Sequence, residues 1–256
     1  MLLQGYPNLE YIVIDGGSTD NSVEIIRKYE PWLSYWASER DSGQSHAINK
    51  GLARTSGEIL AWLNSDDVYL KGALLKVANA FRFQRHAQLV HGDVIYTDKD
   101  STRLPLGTYR SKETTLLRKL QYWKGWDLPQ PGVFFSRELY QRLGQLDQTL
   151  QYALDYDYFL RAALHYPFHR LPEVLATYRL HHASKTGISE SQKARFYAEC
   201  KRVVQRNIKD NKPLYWSWRV RHVLRHPLGL YSRFRSQSQR LLRRVLQRSG
   251  RSTEPA

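Results

Sequence analysis

Four short apolar runs between residues 9 and 96 alternate with three segments of helical periodicity, and this alternation restricts the chain more than any other feature. The runs at 9–14, 35–38, 58–63 and 89–96 are rich in β-branched and aromatic side chains, as strands are. Residues 21–29, 45–54 and 72–83 place apolar side chains three and four apart, as helices do. Strands spaced by single helices predict βαβ units, hence an α/β domain with a mainly parallel sheet flanked by helices. At 256 residues the chain accommodates one such domain and an appendage. Residues 137–143 and 154–164 read as further helices, 173–178 as a strand, and 99–132 as a loop-rich stretch.

The strand ends carry the chemistry. The run at 58–63 stops at Asn64-Ser65-Asp66-Asp67. Unpaired carboxylates are costly to bury, so adjacent acids at a strand end call for a cation, a partner or solvent. Their hard oxygens suit Mg²⁺ or Mn²⁺. Ser and Asp are also ordinary turn residues, so a solvated turn accounts for this motif when it is taken alone. Two other strand ends present acids as well, Asp15 before Gly16 and Gly17, and Asp41 before Gly43. Strand, Gly-rich turn and helix N-terminus make an anion site in the manner of open α/β sheets. Neither a GxGxxG nor a Walker sequence is present there. Asp155, at the start of a helix, reads either as a cap or as a general base. The aromatics at 123–126 read either as a sugar platform or as packing beneath a loop.

Charge is unevenly spread. Of the net +15, nine charges lie from Asp210 onward, where eleven Lys/Arg face only Asp210 and Glu254. That basic, helical tail suits an anionic membrane surface; the acidic edge of the α/β part argues against nucleic acid as the partner. A solvated basic tail is the simpler alternative. A single cysteine, Cys200, excludes an internal disulfide. No run of about 18 apolar residues predicts a spanning helix, and no basic-then-apolar leader opens the chain.

Taken in order, the motifs resemble those of family 2 glycosyltransferases of the GT-A fold. They are residues 4–20 with Asp15-Gly16-Gly17-Ser18-Thr19-Asp20, then Asp41-Ser42-Gly43 with Asn49-Lys50-Gly51, and Asn64-Ser65-Asp66-Asp67, similar to a DxD motif. Asp155-Tyr156-Asp157 with Arg161 follows, and Tyr178-Arg179-Leu180-His181 closes the series. The resemblance implies a nucleotide-diphosphate sugar, a UDP-sugar being favoured, bound by Asp15, Gly16, Gly17, Asp41, Gly43, Asn49 and Asp66. It implies a divalent ion held by Asp67 with Asp66 and His181, and Asp155 as the base on an acceptor hydroxyl. Trp126, Gln130, Asp157 and Arg161 are the candidates on the acceptor side. Inversion at the anomeric carbon is the expected outcome of such direct displacement.

The expected division is 1–98 for the donor, 99–188 for the acceptor and catalysis, and 189–256 for the basic helical tail. Relatives begin with an apolar strand and helix ahead of the segment matching residues 2–7, so this chain is expected to lack that strand. Cell-surface polysaccharide or glycolipid synthesis at the cytoplasmic face of the membrane is the expected setting, with a glycan or glycolipid acceptor. A truncated, non-catalytic scaffold and a basic nucleic-acid-binding protein are the competing readings.

Overall fold

A computed structural model describes residues 1–112, 115–124, 128–180 and 190–225. Its strands are β1 (Ile12–Asp15), β2 (Tyr35–Ser38), β3 (Ile59–Leu60), β4 (Val68–Tyr69), β5 (Leu89–Thr97), β6 (Arg103–Tyr109), β7 (Val133–Ser136) and β8 (His169–Arg179). The helices are α1 (Ser22–Tyr29), α2 (Gln44–Leu52), α3 (Ala73–Phe83), α4 (Leu116–Lys119), α5 (Arg137–Leu143), α6 (Leu154–Ala163), α7 (Glu190–Ile208) and α8 (Lys212–Arg225). No described helix is long and apolar enough to cross a membrane.

Helices flank the sheets as an α/β fold requires, but the strand directions correct the expectation of a mainly parallel sheet. β1 and β2 pair in parallel as a two-stranded unit, with Asp15 opposite Ser38. The larger sheet has six strands in the order β3-β7-β5-β8-β4, with β6 paired to β5. Within it only β5 and β8 run parallel; every other pairing is antiparallel. The reason is where the later strands insert. β7 enters between β3 and β5 against their direction, and β6 returns on β5 as a hairpin, whose turn is held by the Asp98 carboxylate accepting the Asp100 and Thr102 N–H groups at 2.9 Å each. β6 lies in the stretch expected to be loop. Its Pro105 and Gly107 weaken the sequence signal, yet at a sheet edge a missing N–H costs no ladder bond.

Pleating divides the core between the faces of this sheet, since alternate side chains point to opposite sides. Along β7, Val133 and Phe135 join the larger apolar cluster, and Phe134 joins the smaller one with Tyr69, Val77, Val94 and Leu175. The apolar run after Gly57 forms only a two-residue strand, yet Leu60 and Trp62 are buried while Ile59, Ala61 and Leu63 pack at the other cluster. Trp62 stacks on Phe159 at 5.5 Å and meets Phe135 at 5.8 Å, tying the run to α6 and β7. Gly132, at the entry to β7, has no room for a side chain: a Cβ would lie 2.7 Å from the Gly92 carbonyl oxygen. α7 buries Cys200, Val203, Val204 and Ile208, a helical spacing, against this core. Strands from both sides of residue 98 therefore pair within one sheet.

Candidate active site

The parallel register of β1 and β2 sets Asp15 beside Ser38, and the turn after β1 closes around the Asp15 carboxylate. Its Oδ2 accepts the N–H groups of Gly17 (3.0 Å) and Ser18 (2.9 Å) and the Ser38 hydroxyl (2.7 Å), while Oδ1 accepts the Ser18 hydroxyl (2.5 Å). Burial raises this carboxyl, but the bonds from Ser18, Ser38 and Gly17 outweigh it and hold the group at about 2. Gly17 takes φ +85°, the left-handed conformation that glycine adopts without strain. Gly16 faces Asp41 so closely that a Cβ there would come 2.5 Å from Oδ2. The other Asp41 oxygen accepts the Gly43 N–H at 2.8 Å, just before α2 begins.

From α2 the site continues through a ladder of amides. Gln44 Nε2 donates to Asn64 Oδ1 at 2.7 Å, Asn64 Nδ2 donates to Gln130 Oε1 at 3.3 Å, and Gln130 Nε2 donates to the Trp62 carbonyl at 2.7 Å. Gln130 thus joins the acid turn to the entry of β7 and is itself buried. Gly43 in turn lies beside Gln151, 3.9 Å from where its Cβ would stand, so the segment leading into α6 borders the same rim.

Asp66 and Asp67 form the turn between β3 and β4. Asp67 is 5% exposed. Its Oδ1 accepts the Arg179 N–H at 2.9 Å, and its buried Oδ2 meets no hydrogen-bond donor among the described residues. Burial pushes this carboxyl up to about 7 and the Asp66 charge adds to the rise, while the Arg179 N–H and charge and the Asn64 side chain oppose it. Arg179 closes the turn from the end of β8. Its Nε donates to the Asp66 carbonyl (2.8 Å), Nη1 to the Lys99 carbonyl (2.6 Å) and Nη2 to the Ser101 hydroxyl (3.0 Å). An orphaned carboxylate oxygen beside a second acid fits a hard divalent cation completed by phosphate oxygens. No group of three His, Cys, Asp or Glu side chains forms a closed cage among the described residues. His181 and Trp126 lie outside the described residues.

Asp155 sits half-buried in the first turn of α6, its Oδ1 accepting the Tyr156 N–H at 2.7 Å. The approach to that turn is held by Glu199 of α7, whose carboxylate accepts the N–H groups of Gln151 (3.1 Å), Tyr152 (2.8 Å) and Ala153 (2.9 Å). Burial pushes the neighbouring Cys200 thiol well up, and the charges of Asp155 and Glu199 add to it.

Three expected site residues are tied into the fold by hydrogen bonds. Asp157 is wholly buried, held by Arg161 Nε (3.0 Å), Arg206 Nη2 (2.7 Å) and Asn207 Nδ2 (3.3 Å). Arg161 spends its other nitrogens on the carbonyls of Leu143 (2.6 Å) and Gln145 (2.9 Å). Asn49 is buried in a reciprocal pair with the Leu146 backbone at 2.8 and 2.9 Å, which anchors the loop after α5. Tyr122 packs against Tyr197, and Trp123 against His222. Sequence reasoning missed Ser38 and Glu199, and gave Arg179 no role of its own within the closing motif. The β1/β2 register would have found Ser38; nothing local marks Glu199.

A family model described as "Glycosyl transferase family 2" matches residues 1–144. An uncharacterized glycosyltransferase of Mycobacterium tuberculosis is 30% identical over 161 residues, covering 61% of this chain and 58% of the relative. One from Haemophilus influenzae is 34% identical over 123 residues, covering 47% and 48%. The chain thus spans about half the length of these curated relatives. Among solved structures, Staphylococcus aureus TarS residues 1–349 in complex with UDP shares the fold at TM-score 0.56 and 20% identity, over 80% of this chain and 58% of that one. The mannosyltransferase PcManGT of Pyrobaculum calidifontis, in complex with GDP-Man and Mn²⁺, does so at 0.50 and 16%, over 99% and 81%.

Proposed function

Because this chain belongs to glycosyl transferase family 2, we propose that it transfers a sugar from a nucleotide-diphosphate donor to an acceptor hydroxyl with inversion. The observation that carries the reading is the buried Asp67 carboxylate, one oxygen bonded and the other without a donor among the described residues, on the turn whose Asn64 accepts a bond from Gln44 at the start of α2. Burial of half-satisfied charge is destabilising, and a cationic ligand reverses that penalty.

In this reading the nucleoside lies by the turn after β1, whose geometry the Asp15 bonds hold rigid, with Gly16, Gly17 and Asp41 lining the approach. Gly43 leaves the N-terminus of α2 open, where partial positive charge favours the diphosphate. Asp67 and Asp66 hold Mn²⁺ or Mg²⁺, with His181 as a further ligand. When bound, the ion neutralises charge developing on the departing diphosphate. Asp155 takes the proton of the acceptor hydroxyl, a role worth about 10²–10⁴-fold in rate, and Glu199 holds the segment that presents it. Attack opposite the leaving group inverts the anomeric carbon. A UDP-sugar is the favoured donor, in line with the UDP and UDP-GlcNAc complexes of TarS, and the GDP-Man complex of PcManGT makes GDP-sugars the next choice. The acceptor is a glycan or glycolipid of the cell surface, met at the cytoplasmic face of an anionic membrane.

Calorimetric titration with UDP, with and without Mn²⁺, tests the reading. Metal-dependent binding lost in Asp67→Ala is the expected result. A folded protein that binds neither UDP nor GDP in the presence of Mn²⁺ sinks it.

A further inference from the structure

α8 has two unlike faces. Inward, Trp218 is buried, with its ring 5.1 Å from His222 and 6.0 Å from Tyr215. Outward, Lys212, Trp216, Arg219 and Val220 recur four, three and four residues from their neighbours on one helical face. Trp216 is 57% exposed and Val220 52%, and the Arg219 guanidinium stands 5.3 Å from the Trp216 ring. Arg221 is also exposed, and the helix carries no acid.

We propose that this face of α8 is a docking surface for anionic lipid headgroups, with Trp216 as its apolar anchor. The choice of partner follows from the mixture on the face. Phosphates alone, as on a nucleic acid backbone, would satisfy Lys212 and Arg219 and leave the indole and Val220 in water. A bilayer interface accommodates both: headgroups pair with Lys212 and Arg219, and the indole takes the headgroup level where tryptophan is enriched. The surface is a convex helix face, suited to lying on a membrane plane. The inference deepens the proposed function by naming where the transferase meets a membrane-borne acceptor, and rests on it for that purpose alone.

The test uses the whole chain, sedimented with phosphatidylcholine vesicles and with phosphatidylcholine–phosphatidylglycerol vesicles. Co-sedimentation with the anionic vesicles only, weakening as salt rises, is expected. Each cation near such a surface contributes about fivefold in partition, so Lys212→Glu with Arg219→Glu weakens binding by about 25-fold or more. Trp216→Ala weakens it further without moving the thermal unfolding midpoint, since the side chain is exposed. Anionic-vesicle binding unchanged by these substitutions places the lipid contact elsewhere and overturns the proposal, as does absence of vesicle binding. Salt-sensitive binding of a duplex DNA probe without vesicle binding overturns it in favour of nucleic acid. UDP titration of the same samples separates the two readings: nucleotide binding kept while vesicle binding is absent defeats the lipid surface alone.

Discussion

Two buried aspartates, Asp67 in the turn after β3 and Asp157 on α6, meet opposite fates. Asp157 is surrounded by Arg161, Arg206 and Asn207, and both its oxygens are engaged. Asp67 is nearly as inaccessible, yet among the described residues one oxygen accepts the Arg179 N–H and Oδ2 meets no hydrogen-bond donor. Both lie in motifs that read as functional. Burial alone therefore does not separate a structural acid from a ligand-binding one; the count of unsatisfied lone pairs does.

The largest effect expected from this contrast is at the paired site. Asp157→Ala leaves two guanidinium groups without their carboxylate and costs about 3–5 kcal/mol, the range for breaking a buried pair from one side. Urea unfolding reads it, and an unchanged midpoint would mean that the α6–α7 network is inert.

At the unpaired site the sign reverses. The Asp67 carboxyl rises from 3.8 unfolded to about 7 folded, so the native state binds more protons between those values. Stability is then lost as pH climbs from about 4 to about 7, by roughly 3 kcal/mol in metal-free buffer. Asp67→Asn should abolish that loss, and Mn²⁺ should offset it in the wild type. The comparison must be wild type against variant, because His91 slopes the other way. Burial, then the charges of Lys119 and Arg170, lower its ring from 6.5 to about 3. Its contribution is complete above pH 6.5 and is lost as pH falls towards 3.

Glu199 sharpens the contrast as an intermediate case, a carboxylate that accepts three backbone N–H groups and forms no ion pair among the described residues. Glu199→Ala leaves those donors unmet and should cost about 1–3 kcal/mol. Glu199→Gln, which keeps an acceptor oxygen, should recover most of it by thermal unfolding. Equal losses in both variants would mean that packing, not hydrogen bonding, sets the position of Glu199.

How much could be read in advance depended on how local the cause was. β2 and α5 coincide with the segments anticipated, and α1, α2, α3, α6 and β5 begin or end within a few residues of them, because apolar periodicity over several residues is enough to define such elements. β4, β6 and β7 were not anticipated. A two-residue strand has no periodicity of its own, and Pro105 and Gly107 obscure β6. Strand direction was likewise out of reach, since it depends on where β6 and β7 insert.

The chain's own residues sufficed to place acids at the strand ends, because an apolar run that stops at Asp15 or at Asp66-Asp67 must deliver those carboxylates to the sheet's rim. Which acids stay unsatisfied there is a different question. Asn49 meets Leu146 across 97 residues, Asp157 meets Arg206 across 49, and Asp67 meets Arg179 across 112. Those encounters, made only when the chain closes on itself, decided that Asn49 and Asp157 hold the fold and that Asp67 retains an oxygen to offer. Charge and polarity are written residue by residue, whereas the pairing that cancels or preserves them is set by distance in space.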